Sequence, residues 1–281
     1  MSFIGVSEKP HSAALKLQRV RIGLWDRYGG SMPSGWTRRL FEQFEFPFEV
    51  VYPQRLDSGR LSQNFDVLVF ADGAIPAGRQ PADEPSSQGA PDRARIPAEY
   101  HGWLGSVTAD TTIPQLKQFL QDGGTIITIG RSAANLAKHL DLPIGNHLVD
   151  EAGGPLPEAQ YYIPGSLLEV RVDNSRPVAY GMNERAIVSF NRSPVFRLGA
   201  GAEAQGIRRL AWYDSAPPLR SGWAVGQKYL NGGGAMIEAD LGGGKLYMFG
   251  PGVVERAQPH GTFKFLFNGI CLAGAEEAKL P

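Results

Sequence analysis

The sequence predicts an α/β protein with a doubly wound, mostly parallel sheet and a β-rich insertion. Between residues 19 and 140, short apolar runs bounded by turn residues alternate with segments of helical period, as in strand-helix-strand units. A further apolar strand and a closing helix appear after residue 240, so we expect the same core to resume there. With 281 residues and 42% hydrophobic side chains, the chain can bury a substantial core.

The first α/β unit begins near Arg19. The runs VRIGLW (20–25), FEVVY (48–52) and FDVLVF (65–70) predict three strands, each rich in β-branched or aromatic residues. Trp36, Leu40 and Phe44 recur at helical spacing, and Ser34 is the expected N-cap of that helix. Residues 1–18 show no sustained period, so we interpret them as a linker or cut end.

A long irregular excursion, 73–110, is expected after the third strand. Five prolines lie between residues 73 and 100, at positions 76, 81, 85, 91 and 97, with no periodic apolar face. A second unit follows, in which Thr112 is the expected cap of a helix over 113–121. That helix leads into the strand TIITI (125–129).

Residues from about 141 to 240 are interpreted as the β-rich insertion of a domain that spans 19–281. Short strand-like runs occur at 167–172, 186–190, 194–198, 207–212 and 235–239. The core then resumes with LGGGKLYMFG (241–250) and the amphipathic helix GTFKFLFNGI (261–270).

The segment GGTIITIGRSAANLAKHL (123–140) has the form of a catalytic strand-turn-helix but lacks a cysteine. In an open α/β sheet such a turn lifts one side chain above the carboxyl end of a strand, where the next helix N-terminus stabilises negative charge. This turn offers Gly130, Arg131 and Ser132. The single cysteine, Cys271, follows the closing helix and is expected to be a packing residue.

Composition argues against several classes of function. Lys plus Arg equals Asp plus Glu at 28 each, so no overall field attracts nucleic acid or an anionic membrane. The sequence shows neither a bilayer-spanning run nor a signal peptide. One cysteine excludes an internal disulfide framework and a cysteine-based zinc site, and the glycine runs at 232–234 and 242–244 lack the P-loop context, so no cofactor is expected.

One candidate catalytic set is Ser132 as nucleophile, His260 as base and Glu255 as orienting group, because these residue types form hydrolytic triads. The setting of Ser132 does not match the G-x-S-x-G pattern. The competing interpretation, which we prefer, is that Ser132 and His260 hydrogen-bond to local backbone. On that interpretation the chain has no catalytic residue.

A candidate ligand site lies at the ends of two neighbouring predicted strands, where Asp26 and Asp72 stand. Aromatic surface beside mixed charges suits a small polar ligand, a peptide terminus or a partner domain. Equally, both carboxylates could cap turns and pair with Arg131 or Arg256 for structural reasons. The candidate ligand-binding residues are Asp26, Tyr28, Ser31, Trp36, Asp72, Arg131 and Arg256.

Four segments carry a resemblance to a known family. LKQFLQDGGTIITIGRSAANLA resembles the nucleophile region of the class I glutamine amidotransferase-like fold, which is flavodoxin-like. The segments 31–53, 161–182 and 250–270 look like the amidotransferase-like domain that follows the peptidase domain in large bacterial zinc carboxypeptidases. The resemblance implies an accessory domain whose partner is a zinc carboxypeptidase catalytic domain, in cis or in trans. It also implies an exported parent protein, which leaves the compartment of this chain open.

The chain departs from both family patterns at the catalytic residues. The amidotransferase-like pattern expects a His-x-Glu-type motif beyond the last strand, where this chain has GPGVVE (250–255). A carboxypeptidase of this kind binds zinc through H-x-x-E, yet none of the five histidines is followed three positions later by Glu. We therefore expect no metal site and a non-catalytic structural, interaction or substrate-positioning role. The alternatives are a small hydrolase or amidase using Ser132 and His260, and a small-molecule sensor.

Overall fold

A computed structural model describes residues 14–78 and 92–278. Fourteen strands are found in these two ranges: β1 (Ala14–Lys16), β2 (Ile22–Trp25), β3 (Phe48–Val51), β4 (Val67–Phe70), β5 (Thr125–Ile129), β6 (Ile144–Asn146), β7 (Ser166–Val172), β8 (Arg185–Phe190), β9 (Phe196–Leu198), β10 (Ile207–Trp212), β11 (Leu219–Gly222), β12 (Gly234–Leu241), β13 (Gly244–Phe249) and β14 (Glu276–Ala278).

The same ranges contain six α-helices: α1 (Met32–Gln43), α2 (Pro53–Asp57), α3 (Leu61–Asn64), α4 (Thr112–Gln121), α5 (Arg131–His139) and α6 (Phe263–Cys271). Short 3₁₀-helices occupy Arg93–Arg95, Ala98–Trp103, Pro177–Ala179, Glu203–Gln205, Gln227–Leu230 and Glu255–Ala257. No helix among the described residues is long and apolar enough to cross a bilayer.

Five parallel strands form the core in the order β3-β2-β4-β5-β13. Counted along the chain this is the order 2-1-3-4-5, which is the flavodoxin-like winding. β12 pairs antiparallel with β13, and β10 and β7 extend the sheet from there. The predicted fold class is therefore confirmed, and the β-rich strands continue the same sheet as its antiparallel part.

Helices cover both faces of the parallel strands. Leu40 and Phe41 of α1 pack in one core with Leu266 of α6, whereas Leu116 of α4 and Leu136 of α5 pack in a second core on the opposite face. All five residues of β5 are buried, as expected for a strand that is covered on both sides. This double winding directs the carboxyl ends of the parallel strands toward one edge of the sheet.

Two predicted helix starts are wrong by a few residues. α1 begins at Met32 with Ser31 in the N-cap position, and Ser34 lies inside the helix, where its Oγ donates to the carbonyl oxygen of Trp25 at 2.7 Å. Thr112 is the first residue of α4 rather than its cap, and its Oγ1 donates to Asp57 at 2.6 Å. In both cases the hydroxyl serves a tertiary contact that local sequence does not reveal.

Other differences concern short elements. β1 lies within residues 1–18, interpreted from sequence as a linker or cut end, and it is defined by antiparallel pairing with β14. Two 3₁₀-helices lie within the described part of the excursion 73–110, and the prolines at 81, 85 and 91 lie outside the described residues. The Gly242–Gly243 pair joins β12 to β13 as the hairpin that the glycine run predicts.

Candidate functional site

The turn after β5 places glycine where a nucleophile would stand. Gly130 follows the strand directly and has φ 64° and ψ −139°, a conformation that other residues adopt only under strain. In a catalytic strand-turn-helix, the residue at the sharp turn is the one whose side chain is raised above the sheet. Here that residue has no side chain, so the turn presents no nucleophilic atom at this point.

Asp72 occupies the space that a side chain at position 130 would take. A Cβ atom built on Gly130 would lie 2.6 Å from Asp72 Oδ1 and 2.7 Å from its Cβ, closer than real contacts allow. Asp72 is held there by the start of α5, because its Oδ1 accepts from the Arg131 backbone N–H at 2.8 Å and from Arg131 Nε at 3.2 Å. The carboxylate therefore caps α5 and fills the position above the strand.

Ser132, the candidate nucleophile, is fully buried. Its Oγ donates to the Ala71 carbonyl oxygen at 2.7 Å and accepts from the backbone N–H groups of Ala74 at 2.9 Å and Ile75 at 3.2 Å. A hydroxyl has one donor and two acceptor positions, so all three are used. Ser132 thus fastens the turn after β4 to α5, and its oxygen is not presented to a substrate.

A strand-end pocket of about 430 Å³ opens above the turn at Gly130, at the carboxyl ends of β4, β5 and β13. Its wall combines the ring of Trp36, the pair Asp72 and Arg131, and two further charges, Arg192 and Glu255. Arg192 stacks over the ring of Tyr162 at 5.0 Å and donates to its hydroxyl at 2.6 Å. The pocket therefore offers both signs of charge beside an aromatic wall, which suits a small polar ligand.

A second pocket of about 590 Å³, the switch-point pocket, lies on the other side of Asp72. It is lined by residues that follow β2 and β4, the neighbouring strands at which the winding of the sheet reverses, and this is where open α/β sheets bind ligands. Arg27, Ser31 and Arg131 line it together with Trp25. The buried indole Nε1 of Trp25 has no hydrogen-bond partner among the described residues.

Asp26 and Tyr28 lie beside these pockets and line neither. Asp26 Oδ1 accepts from the backbone N–H groups of Arg27 and Ser31, both at 2.8 Å, and thereby closes the loop between β2 and α1. Burial raises the pKa of the Asp26 carboxyl above its ordinary value, although both N–H donors favour the charged form. The ring of Tyr28 lies 6.3 Å from that of Tyr100.

The remaining candidates are on a different part of the surface. His260 is exposed, its ring lies 5.0 Å from that of Phe263, and together with Glu255 it lines a groove beside β8. Arg256 is exposed and lines neither the strand-end pocket nor the switch-point pocket. The structure therefore brings Glu255 and His260 to one groove, while Ser132 is enclosed between α5 and the turn after β4.

Sequence reasoning overlooked three site residues. Arg192 and Ser189 come from β8 and the loop after it, which only the tertiary fold brings to the end of β5. Trp25 was interpreted only as the last residue of a buried strand. A signal for it was present, because a tryptophan at the carboxyl end of a strand carries an N–H group that requires a partner when buried.

Comparisons with known proteins support the fold. No protein-family model and no curated protein matches the sequence. PurLQS from Thermotoga maritima is similar in structure with a TM-score of 0.52 at 11% identity, covering 90% of this chain and 98% of the other. A putative GMP synthase subunit from Thermoplasma acidophilum gives 0.50 at 13% identity, covering 92% and 95%.

A β-galactosidase from Bacillus circulans sp. alkalophilus is also similar, with a TM-score of 0.50 at 11% identity. The match covers 89% of this chain, and this chain spans 30% of the galactosidase. Together with the strand order 2-1-3-4-5, these likenesses show a class I glutamine amidotransferase-like, flavodoxin-like fold.

Proposed function

We propose that this chain is a non-catalytic amidotransferase-like module that serves a zinc carboxypeptidase catalytic domain in a structural, interaction or substrate-positioning role. One observation carries the non-catalytic part: Gly130 stands at the strained position of the turn, and Asp72 fills the space above it. The association with a carboxypeptidase rests on the resemblance of segments 31–53, 161–182 and 250–270 to such accessory domains. The partner is the catalytic domain, in cis or in trans.

A hydrolase that uses Ser132 and His260 is the rival from the enzyme class. Ser132 Oγ would have to give up three hydrogen bonds and become exposed before it could attack a carbonyl carbon. The base would also have to reach it from the groove beside β8, where His260 lies. Each step requires a large rearrangement around α5, so the binding role is the simpler account.

A second candidate function, small-molecule sensing, is favoured by the two pockets. Both contain the Asp72 and Arg131 pair, and the Trp25 indole N–H in the switch-point pocket can donate to a ligand oxygen. A ligand with an anionic and a cationic group would find counter-charges in Arg192 and Glu255 of the strand-end pocket. This candidate needs no partner domain.

The accessory role is tested by mixing the purified chain with the catalytic domain of a large bacterial zinc carboxypeptidase. Binding is measured by isothermal titration calorimetry, and peptidase kinetics are measured with and without the chain. The proposal expects a saturable complex and a changed KM for peptide substrates. Neither heat of binding nor any kinetic change would contradict the association, while leaving the ligand pockets to be tested separately.

The sensing role is tested by thermal unfolding with free amino acids and short peptides as probes. A probe that binds only the folded chain at 100 times its Kd adds about 2.7 kcal/mol of stability and raises Tm. We expect the shift to be lost in Arg131→Gln and kept in Arg38→Gln, a control whose arginine pairs with Glu42 on the exposed face of α1. Equal shifts in both variants would place binding elsewhere.

A further inference from the structure

Strand β8 is an open edge of the antiparallel part of the sheet. It pairs with β7 along its whole length, from Arg185 opposite Arg171 to Phe190 opposite Ser166, and with no other strand among the described residues. An open edge exposes backbone N–H and C=O groups that can pair with another chain. β8 is therefore a surface whose own chemistry specifies an extended polypeptide as its ligand.

The hydrogen bonds show which backbone groups point outward. The Glu184 carbonyl oxygen accepts from Val172 N–H at 2.8 Å, on the β7 side, whereas the Ser189 carbonyl oxygen accepts from Gly252 N–H at 3.0 Å, on the opposite side. Because antiparallel strands alternate, Arg185, Ile187 and Ser189 direct their backbone groups away from β7. The N–H and C=O groups of Ile187 have no backbone partner in the part of the chain that the structure describes.

A groove of about 670 Å³ runs beside this edge, and we call it the β8 groove. Ile187 and Ser189 line one side, and the residues from Gln258 to Gly261 with Lys264 line the other. Ile187 is 40% exposed and Leu167, also in the groove, is 42% exposed. The groove thus combines open backbone groups with two apolar side chains that an added strand would cover.

The charges in the groove favour an acidic occupant. Its ionisable side chains are Arg185, Lys264, His260 and Glu255. Lys264 bonds to the carbonyl oxygen of Gly181 and has no carboxylate partner among the described residues, whereas Arg185 is already paired with Asp214 and Glu169. An acidic side chain on the ligand would therefore meet Lys264 as an unmatched cation.

We propose that the open edge of β8 binds an extended acidic peptide segment of a partner protein as an added strand. Ile187 exchanges two backbone hydrogen bonds with the segment, an apolar side chain of the segment covers Ile187 and Leu167, and an acidic one pairs with Lys264. This docking surface goes beyond the proposed function, since the strand-end and switch-point pockets are built on other strands and do not include Ile187.

The test uses fluorescence anisotropy with the full chain and three labelled hexapeptides. The first alternates Val with Glu, the second alternates Val with Lys, and the third is the Glu peptide with alternate backbone amides N-methylated. Ile187→Pro removes the outward N–H, a change that edge strands tolerate where this group faces solvent, and Ile187→Ala keeps the N–H as the matched control. Circular dichroism checks that each variant unfolds cooperatively.

We expect the Glu peptide to bind wild type and to bind Ile187→Pro at least tenfold more weakly, with a smaller loss in Ile187→Ala. The Lys peptide and the N-methylated peptide should each bind at least tenfold more weakly than the Glu peptide. If Ile187→Pro fails to fold, the N-methylated peptide still tests the same hydrogen bonds on the unmodified chain. No binding of the Glu peptide, or equal binding of the N-methylated peptide, would overturn the proposal.

Discussion

At the residue scale, the identity of one glycine decides what the site can do. Gly130 adopts a positive φ at the strand-to-helix turn, and Asp72 packs where its Cβ would be. Two separate features therefore oppose a side chain at position 130, the backbone conformation and the contact with Asp72. They can be measured independently, because other glycines of the chain have positive φ with open space around them.

We predict that Gly130→Ala lowers the free energy of unfolding by more than Gly153→Ala does. Gly153 has φ 84° and no atom within 4 Å of the position that a Cβ would take, so its substitution reports the conformational cost alone, about 1–2 kcal/mol. At Gly130 the contact with Asp72 should add about 1–3 kcal/mol. Urea unfolding measures both variants. If adding Asp72→Gly to Gly130→Ala recovered none of that extra loss, Asp72 would not be the cause.

The carboxyl of Asp26 gives a pH-dependent prediction. Its folded-state pKa is raised by burial, so the charged form is disfavoured in the folded protein as pH rises from about 3.9, the unfolded value, through the folded pKa. Asp26→Asn keeps an oxygen acceptor for the Arg27 and Ser31 N–H groups and removes that cost. We expect the variant to gain stability relative to wild type above this window and not below it.

Asp66 is the control of opposite sign. Hydrogen bonds from Arg21 lower the pKa of Asp66, so its contribution to stability is present above about pH 3.9 and is lost as pH falls through the lower folded value. Asp66→Asn should therefore lose stability at neutral pH and match wild type in strong acid. Chemical unfolding across pH 2–7 compares the two variants, and the same sign for both at pH 7 would refute this assignment.

At the element scale, long apolar runs were predicted well and short elements were not. The bounds of β5 and β10 match the predicted strands at 125–129 and 207–212, because turn residues delimit both apolar runs. β1, β6, β11 and β14 have three or four residues and exist through pairing with distant strands. Local sequence carries little signal for such strands, since their hydrogen bonds depend on the assembled sheet.

Helix α5 should depend on its buried face for stability. Leu136 is fully buried in the core between α5 and the sheet, and Lys138 on the same helix is exposed. We predict that Leu136→Ala costs about 2–5 kcal/mol, because it leaves a cavity under the helix. Lys138→Ala should change stability by at most about 0.5 kcal/mol. Similar effects of the two substitutions in urea unfolding would contradict the described packing of α5.

At the scale of the whole molecule, the parallel and antiparallel strands share one core. Val69 and Ile127 of the parallel strands belong to the same buried cluster as Leu168 and Val188 of the antiparallel strands. We therefore predict a single cooperative transition in differential scanning calorimetry, with the calorimetric enthalpy equal to the van't Hoff enthalpy. Two separable transitions would instead indicate that residues 141–240 fold as an independent unit.

The candidate site was predictable in part. Asp72, Arg131 and Trp36 were expected at the strand ends because the carboxyl ends of parallel strands meet at one edge, and all three line the strand-end pocket. Arg192 could not be predicted, since it reaches the pocket only through the antiparallel extension. The Ser132 hydrogen bonds were also beyond the sequence, because their partners lie about 60 positions away in the turn after β4.

The most direct test of the central claim is a search for covalent and hydrolytic activity in the purified chain. The chain is incubated with ester, amide and glutamine substrates and, separately, with a fluorophosphonate probe followed by intact mass measurement. We predict no turnover above background and no adduct, because Gly130 presents no nucleophile and Ser132 Oγ is enclosed. Turnover together with a stoichiometric adduct on Ser132 would contradict the account.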